Sequence, residues 1–126
     1  MTFLVDTNVF LEILLSQDKK EHCKMFLNNN IGILNITDFS FHSIGVILFR
    51  YAKEDIFQKF IEDVIPNIQL ISLPMKWYME VINAKRNLNL DFDDAYQYST
   101  AKYYELTVAT MDKDFKKIKD VDILFL

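Results

Sequence analysis

Thr2-Phe3-Leu4-Val5-Asp6-Thr7-Asn8-Val9-Phe10 passes from a short apolar run through a polar triplet into helical spacing. Thr2 to Val5 reads as a buried strand, and Asp6-Thr7-Asn8 ends it. Val9-Phe10, Ile13-Leu14 and Ser16 then continue at the period of an amphipathic helix. The same alternation repeats downstream. Lys19 to Asn28 reads as a second helix, stopped by Asn28-Asn29-Asn30, and Ile31 to Ile36 as a second strand. Thr37 or Asp38 can cap a third helix that carries Phe41, Ile44, Leu48 and Tyr51 on one side.

Lys53 to Val64 repeats the helical pattern with Ile56, Phe57, Phe60, Ile61 and Val64, and Pro66 closes it. Ile68 to Leu73 is a third strand. Pro74 suits the start of the next helix, which runs to about Arg86 with Trp77, Val81 and Ala84 inward. Asp91 caps a helix bearing Phe92, Ala95, Tyr96, Ser99 and Tyr103 on one face. Thr107 to Thr110 is a fourth strand, Asp112 to Ile118 a helical turn or two, and Asp122 to Leu126 a last β-rich run. Strands separated by helices pair in parallel, which predicts an α/β fold: a central, mostly parallel sheet of four to five short strands flanked by helices. No linker or internal repeat interrupts the pattern, so residues 1–126 read as one domain.

Composition agrees. The chain has 126 residues, 51% of them hydrophobic and 25% charged, enough to bury a core without help. Two glycines and two prolines leave little room for long irregular loops, and they exclude the glycine-rich phosphate loops of nucleotide-binding folds. The single cysteine, Cys23, excludes an internal disulfide and suggests a reducing compartment. Asp6 interrupts the first apolar run and Ile44 to Phe49 is the longest one, so neither a secretory signal nor a membrane span is expected and the cytoplasm is the default. A net charge of −4 argues against general electrostatic coating of nucleic acid, but a metal held among acids can reverse the sign locally.

Three acidic elements stand where a parallel sheet would gather them, at the carboxyl rim of its strands. Asp6 leaves the first strand abruptly; as a strand-to-helix residue it can be an N-cap, or a carboxylate directed by Thr7 and Asn8. Asp91, Asp93 and Asp94 fall at one helix start, where carboxylates are favoured in any case. Asp91 and Asp94 share a face by their spacing, whereas Asp93 is expected to point elsewhere. Asp112 and Asp114 follow the fourth strand and can be ordinary turn residues. Together, several carboxylates suit Mg²⁺ or Mn²⁺. Zinc is not indicated, since His22 and His42 lie far apart and one cysteine cannot complete a Cys/His set.

At these residues the chain resembles the PIN-domain family, and within it the VapC-like toxin ribonucleases of bacterial toxin–antitoxin pairs. The carriers are Asp6-Thr7-Asn8, Asp94-Ala95 and Thr110-Met111-Asp112-Lys113-Asp114-Phe115, in that order across nearly the whole chain. The resemblance implies a PIN-like three-layer fold, with Asp6, Asp94 and Asp112 as catalytic, metal-binding carboxylates. It makes Asp114 an additional acid and gives Thr110 a supporting hydroxyl beside Asn8. It further implies hydrolysis of RNA phosphodiester bonds with Mg²⁺ or Mn²⁺, frequent homodimers, and a protein antitoxin that blocks the site.

One departure matters. The family pattern places a glutamate about six residues after the Ser or Thr that starts the third helix. Counting from Thr37 reaches Ser43, and no Glu occurs between Thr37 and Lys53. The side chains on offer as replacements are His42, Asp38 and Ser43. The alternative to a metal-dependent ribonuclease is therefore a catalytically impaired module that binds RNA or a protein partner. A phosphatase of another α/β fold would use Asp6 as nucleophile, commonly with a second Asp two residues on, but position 8 is Asn.

Overall fold

The computed structural model describes residues 2–126 and contains five strands and six α-helices. The strands are β1 (Phe3–Val5), β2 (Leu34–Thr37), β3 (Gln69–Ile71), β4 (Thr107–Thr110) and β5 (Ile123–Phe125). The helices are α1 (Thr7–Leu14), α2 (Lys20–Asn29), α3 (Asp38–Arg50), α4 (Glu54–Lys59), α5 (Tyr78–Leu88) and α6 (Phe92–Tyr104). All pairings are parallel, in the order β3-β2-β1-β4-β5.

Alternation along the strands sorts the core into two layers. Leu4 and Val108 face α5 and α6, where Val81, Ala84, Ala95 and Tyr96 are buried against them. Phe3, Val5, Ile36 and Ala109 face the other way, toward Phe10 of α1, Cys23 of α2, and Ile44 and Leu48 of α3. Helices on both faces of a parallel sheet make the three-layer α/β arrangement expected from the sequence.

The order of strands also fixes where a site can form. β1 continues to β2 and β3 on one side, and the chain then crosses back to place β4 on the other side of β1. The loops leaving β1 and β4 therefore diverge at adjacent carboxyl ends, with Val5 opposite Ala109. Such a switch point opens a crevice in doubly wound sheets.

Several boundaries differ from expectation for local reasons. Gly32 sits at φ +96 in a turn, so the second strand begins at Leu34 and Ile31 stays outside it. The fourth helix gives way to a π-helical turn at Phe60–Val64 and a 3₁₀ turn at Ile65–Asn67, because Pro66 cannot continue an α-helical ladder. Pro74 leads into a 3₁₀ turn, Met75–Trp77, before α5 begins. Tyr51 and Phe92, which share their helix faces with buried apolar residues by spacing, are 64% and 53% exposed. Cys23 is buried beside Met111, and burial pushes its thiol pKa up, as suits an unreactive packing residue.

Candidate metal centre

The first strand delivers Asp6 to the crevice. Its N–H still donates to the Ala109 carbonyl, at 2.9 Å, so the residue is fixed by the sheet before the chain turns into α1. Although Asp6 stands at the N-cap, its side chain makes no capping bond. One carboxylate oxygen accepts from the Thr110 hydroxyl at 2.7 Å, and the other from Gln97 Nε2 at 3.4 Å. The hydroxyl of Thr7 goes instead to Ser40, at 2.7 Å. Thr7 and Asn8 therefore line the crevice, while the side-chain donors to Asp6 come from β4 and α6.

β4 supplies the second arm. Thr110 Oγ1, while donating to Asp6, accepts from the Asp112 N–H at 2.9 Å. Asp112 Oδ1 in turn accepts from the Asp114 N–H at 2.9 Å and caps the 3₁₀ turn Lys113–Lys117. The turn-residue reading of Asp112 is thus correct, and it still leaves the carboxylate facing the crevice.

α6 supplies the third. Its N-cap Asp91 makes no side-chain capping bond, and Asp93 Oδ1 accepts from the Asp94 N–H at 3.0 Å. Asp93 does not point elsewhere. Carboxylate oxygens of Asp91, Asp93 and Asp94 lie within 4.8 Å of one another, with Asp91 in extended backbone before the helix and Asp93 turned back onto the Asp94 N–H. A second set, Asp94, Asp112 and Asp114, meets the same limit. Asp94 belongs to both. Asp6 belongs to neither, yet it lines the same cleft of about 410 Å³.

The crowding has an electrostatic signature. Burial, and then the carboxylates of Asp93, Asp112, Asp6 and Asp114, push Asp94 up to about 7. Burial raises Asp6 to about 6, although the Thr110 hydroxyl and the Thr7 N–H pull it back. Carboxyls that resist ionisation together favour a bound cation, which stabilises the charged form of each. The donor set consists of oxygens alone, as hard divalent ions require, and no lysine or arginine lines the cleft.

The candidates for the missing glutamate separate clearly. Ser43 is half-buried and lines the cleft. His42 is exposed on the outer side of α3, with Nδ1 2.9 Å from the Asp38 carbonyl oxygen, and does not line it. Asp38 accepts from the Tyr96 hydroxyl at 2.7 Å and from the Phe39 N–H at 2.8 Å, which commits its carboxylate to packing. A side chain four residues from another on a helix need not look into the same cleft, and here neither does.

Gln97 and Ser40 were not singled out in the sequence. Both are buried. Gln97 Nε2 donates to Ser40 Oγ at 2.7 Å, joining α6, α3 and α1 behind Asp6, and its Oε1 has no partner among the described residues. The spacing from Asp94 to Gln97 puts both on one helix face, which is the only signal available.

Residues 3–121 match the family profile of the PIN domain. No curated protein matches by sequence. Among solved structures, DNA-bound VapBC from Salmonella typhimurium superposes with a TM-score of 0.82 at 16% identity, covering 99% of this chain and 98% of that one. A toxin–antitoxin complex from Klebsiella pneumoniae gives 0.77 at 21% identity over 95% of both chains. The sarcin–ricin loop cleaving toxin VapC20 from Mycobacterium tuberculosis gives 0.79 at 11% identity, over 96% of this chain and 99% of that one. With the profile matched over nearly its whole length and the acids of three separate elements meeting at its switch point, the chain belongs to the PIN-domain family.

Proposed function

We propose that the chain is a divalent-metal-dependent endoribonuclease of the toxin type, hydrolysing RNA phosphodiester bonds with Mg²⁺ or Mn²⁺. The observation that carries this reading is the meeting of Asp94, Asp112 and Asp114 within 4.8 Å, beside buried Asp6, in a cleft without a basic side chain. Asp94, Asp112 and Asp114 would hold the ion, with Asp6 at its inner side. When bound, the ion supplies charge neutralisation at the phosphate and a water of lowered pKa. Thr110 holds the Asp6 carboxylate and the Asp112 backbone through one hydroxyl, so the two acids keep a fixed relation. Gln97 holds Asp6 from α6. Oriented carboxylates need little reorganisation when charge develops, which is the main service a rigid site can give.

Cleavage of labelled RNA with Mn²⁺ or Mg²⁺, against EDTA and Asp94→Asn controls, tests the proposal. Metal-dependent cutting that disappears in the variant is the required result. Equal cutting by both preparations would assign the activity to a contaminant.

The structural neighbours include VapBC from Rickettsia felis and FitAB, each bound to DNA. By that likeness we assign this chain a protein antitoxin as partner, and from its family a homodimeric state. A second reading, an RNA- or protein-binding module with an impaired site, is favoured by Ser43, which lines the cleft where the family places a carboxylate. A folded protein that binds no Mn²⁺ and cuts none of several RNAs would support it.

A further inference from the structure

Next to the acid cleft lies a larger, mostly apolar cavity of about 610 Å³ between α5 and the start of α6. The two share a wall made by Asp91 and Phe92. Val81, Leu90 and Ala95, all buried, form part of its lining. Ile82 and Phe92 stand 41% and 53% exposed on its sides. The Phe92 ring is not loose: it stacks on Tyr96 at 6.0 Å and 17°, and meets Phe39 edge-on at 5.5 Å. Lys85 and Arg86, in the last turn of α5, add two cations to the lining. Among the described residues neither makes an ion pair, and Lys85 only donates to the Asn89 side chain at 3.1 Å.

We propose that this cavity is a nucleotide subsite, taking a nucleobase adjacent to the scissile phosphate while Lys85 and Arg86 hold a neighbouring phosphate group. The inference rests on the ribonuclease reading for the class of ligand, and on charge and shape for the place. A cleft lined by Asp6, Asp91, Asp93, Asp94, Asp112 and Asp114 repels a polyanion wherever a metal does not neutralise it. RNA needs a cationic foothold beside the acids. Two unpaired cations over an apolar cavity that shares a wall with the cleft provide one. On the other flank, the part of the α3 groove that shares residues with the cleft is about 370 Å³ and has Arg50 as its one lysine or arginine. An aromatic side chain at the dividing wall suits a base, because every base offers a face for stacking. The size falls in the range of sites that enclose small ligands.

Amide chemical shifts read the subsite without needing the metal. Wild-type protein in EDTA is titrated with uridine or adenosine 5′-monophosphate, ribose 5-phosphate and inorganic phosphate. We expect the nucleotides to shift amides from Ile82 to Phe92, with ribose 5-phosphate at least several-fold weaker. Ile82→Glu and Arg86→Ala alter exposed positions that do not line the acid cleft itself, and each should weaken nucleotide binding on the order of tenfold. No shift at millimolar nucleotide overturns the proposal. Equal shifts from ribose 5-phosphate overturn it in favour of a simple anion site. Shifts that follow protein concentration instead of nucleotide overturn it in favour of a second copy of the chain covering the cavity. RNA cleavage on the same preparation separates the two readings: cutting without nucleotide binding removes the subsite alone, and nucleotide binding without cutting removes the nuclease alone.

Discussion

Replacing Asp94 by Asn should stabilise the metal-free protein at neutral pH while removing its response to metal. The magnitude follows from the site. Burial, followed by the charges of Asp93, Asp112, Asp6 and Asp114, raises the Asp94 carboxyl from 3.8 to about 7. About three pH units at roughly 1.4 kcal/mol each would cap the cost of ionising it in the fold at about 4 kcal/mol. Water in the cleft screens the neighbouring charges, and several acids share the titration, so about 1–2 kcal/mol is the expected gain. The sign is set by proton binding. Above the unfolded value of 3.8 the folded chain retains a proton that the unfolded chain has released, so stability falls as pH rises toward about 7. Asn carries no such charge. Its advantage should be complete at pH 8, smaller at pH 5 and absent below about pH 4. Thermal unfolding in EDTA should show Asp94→Asn melting about 3–8 °C above wild type at pH 8, with the gap narrowing at pH 5. Millimolar Mn²⁺ should then reverse the order, since a ligand that binds only the native state raises its stability. An Asn variant no more stable than wild type at pH 8, or a gap of equal size at pH 5, would refute the electrostatic argument.

Ser43→Glu puts a carboxylate into the cleft, so Mn²⁺ should raise its melting temperature more than that of wild type, with lower stability in EDTA at pH 8. Calorimetric titration with Mn²⁺ and melting in EDTA measure both effects. Gln97→Leu removes the amide that ties Asp6 to Ser40, and urea unfolding should report a loss of about 1–3 kcal/mol. Tyr96→Phe leaves the Leu73 N–H without the hydroxyl that accepts from it at 3.0 Å and frees Asp38. A loss of about 1–2 kcal/mol by urea unfolding is expected there, with Mn²⁺ binding unchanged, because Asp38 lies outside the cleft.

The sheet was readable because its punctuation is chemical. Asp6, Pro74, Asp91 and Asp112 stand where apolar runs stop, and in a parallel sheet those stops face one rim. That logic brought Asp6, Asp94 and Asp112 to one cleft without any knowledge of contacts. It failed where the outcome depended on direction. Asp38 and His42 share a helix face by spacing, yet the packing of Tyr96 claims one and solvent the other. Asp93 was set apart by its spacing along the helix, yet its carboxylate turns back to accept from the Asp94 N–H and joins the others. Phe92 has the spacing of a core residue but stands at the helix start, beyond the reach of the sheet, and remains half-exposed. The cations beside the cleft were invisible for another reason. Lys85 and Arg86 sit in an ordinary helix end, and only the return of the chain through Leu90 and Asp91 carries that end to the acids.

The lost glutamate has to be weighed against what the first turn of α6 brings. A metal site needs enough negative oxygen within reach of the ion, whichever element supplies it. Asp91 and Asp93 join Asp94 within 4.8 Å, and Asp112 and Asp114 join it from the other side. Asp94 is common to the two sets, and burial, followed by the charges of these neighbours, pushes its carboxyl up to about 7. An ion seated there would replace the retained proton and relieve the repulsion in one step. A carboxylate at Ser43 would approach from α3, a third direction, and would chiefly restrict where the ion sits. On this argument the change to Ser43 loosens the geometry of the site more than it lowers its capacity for a cation.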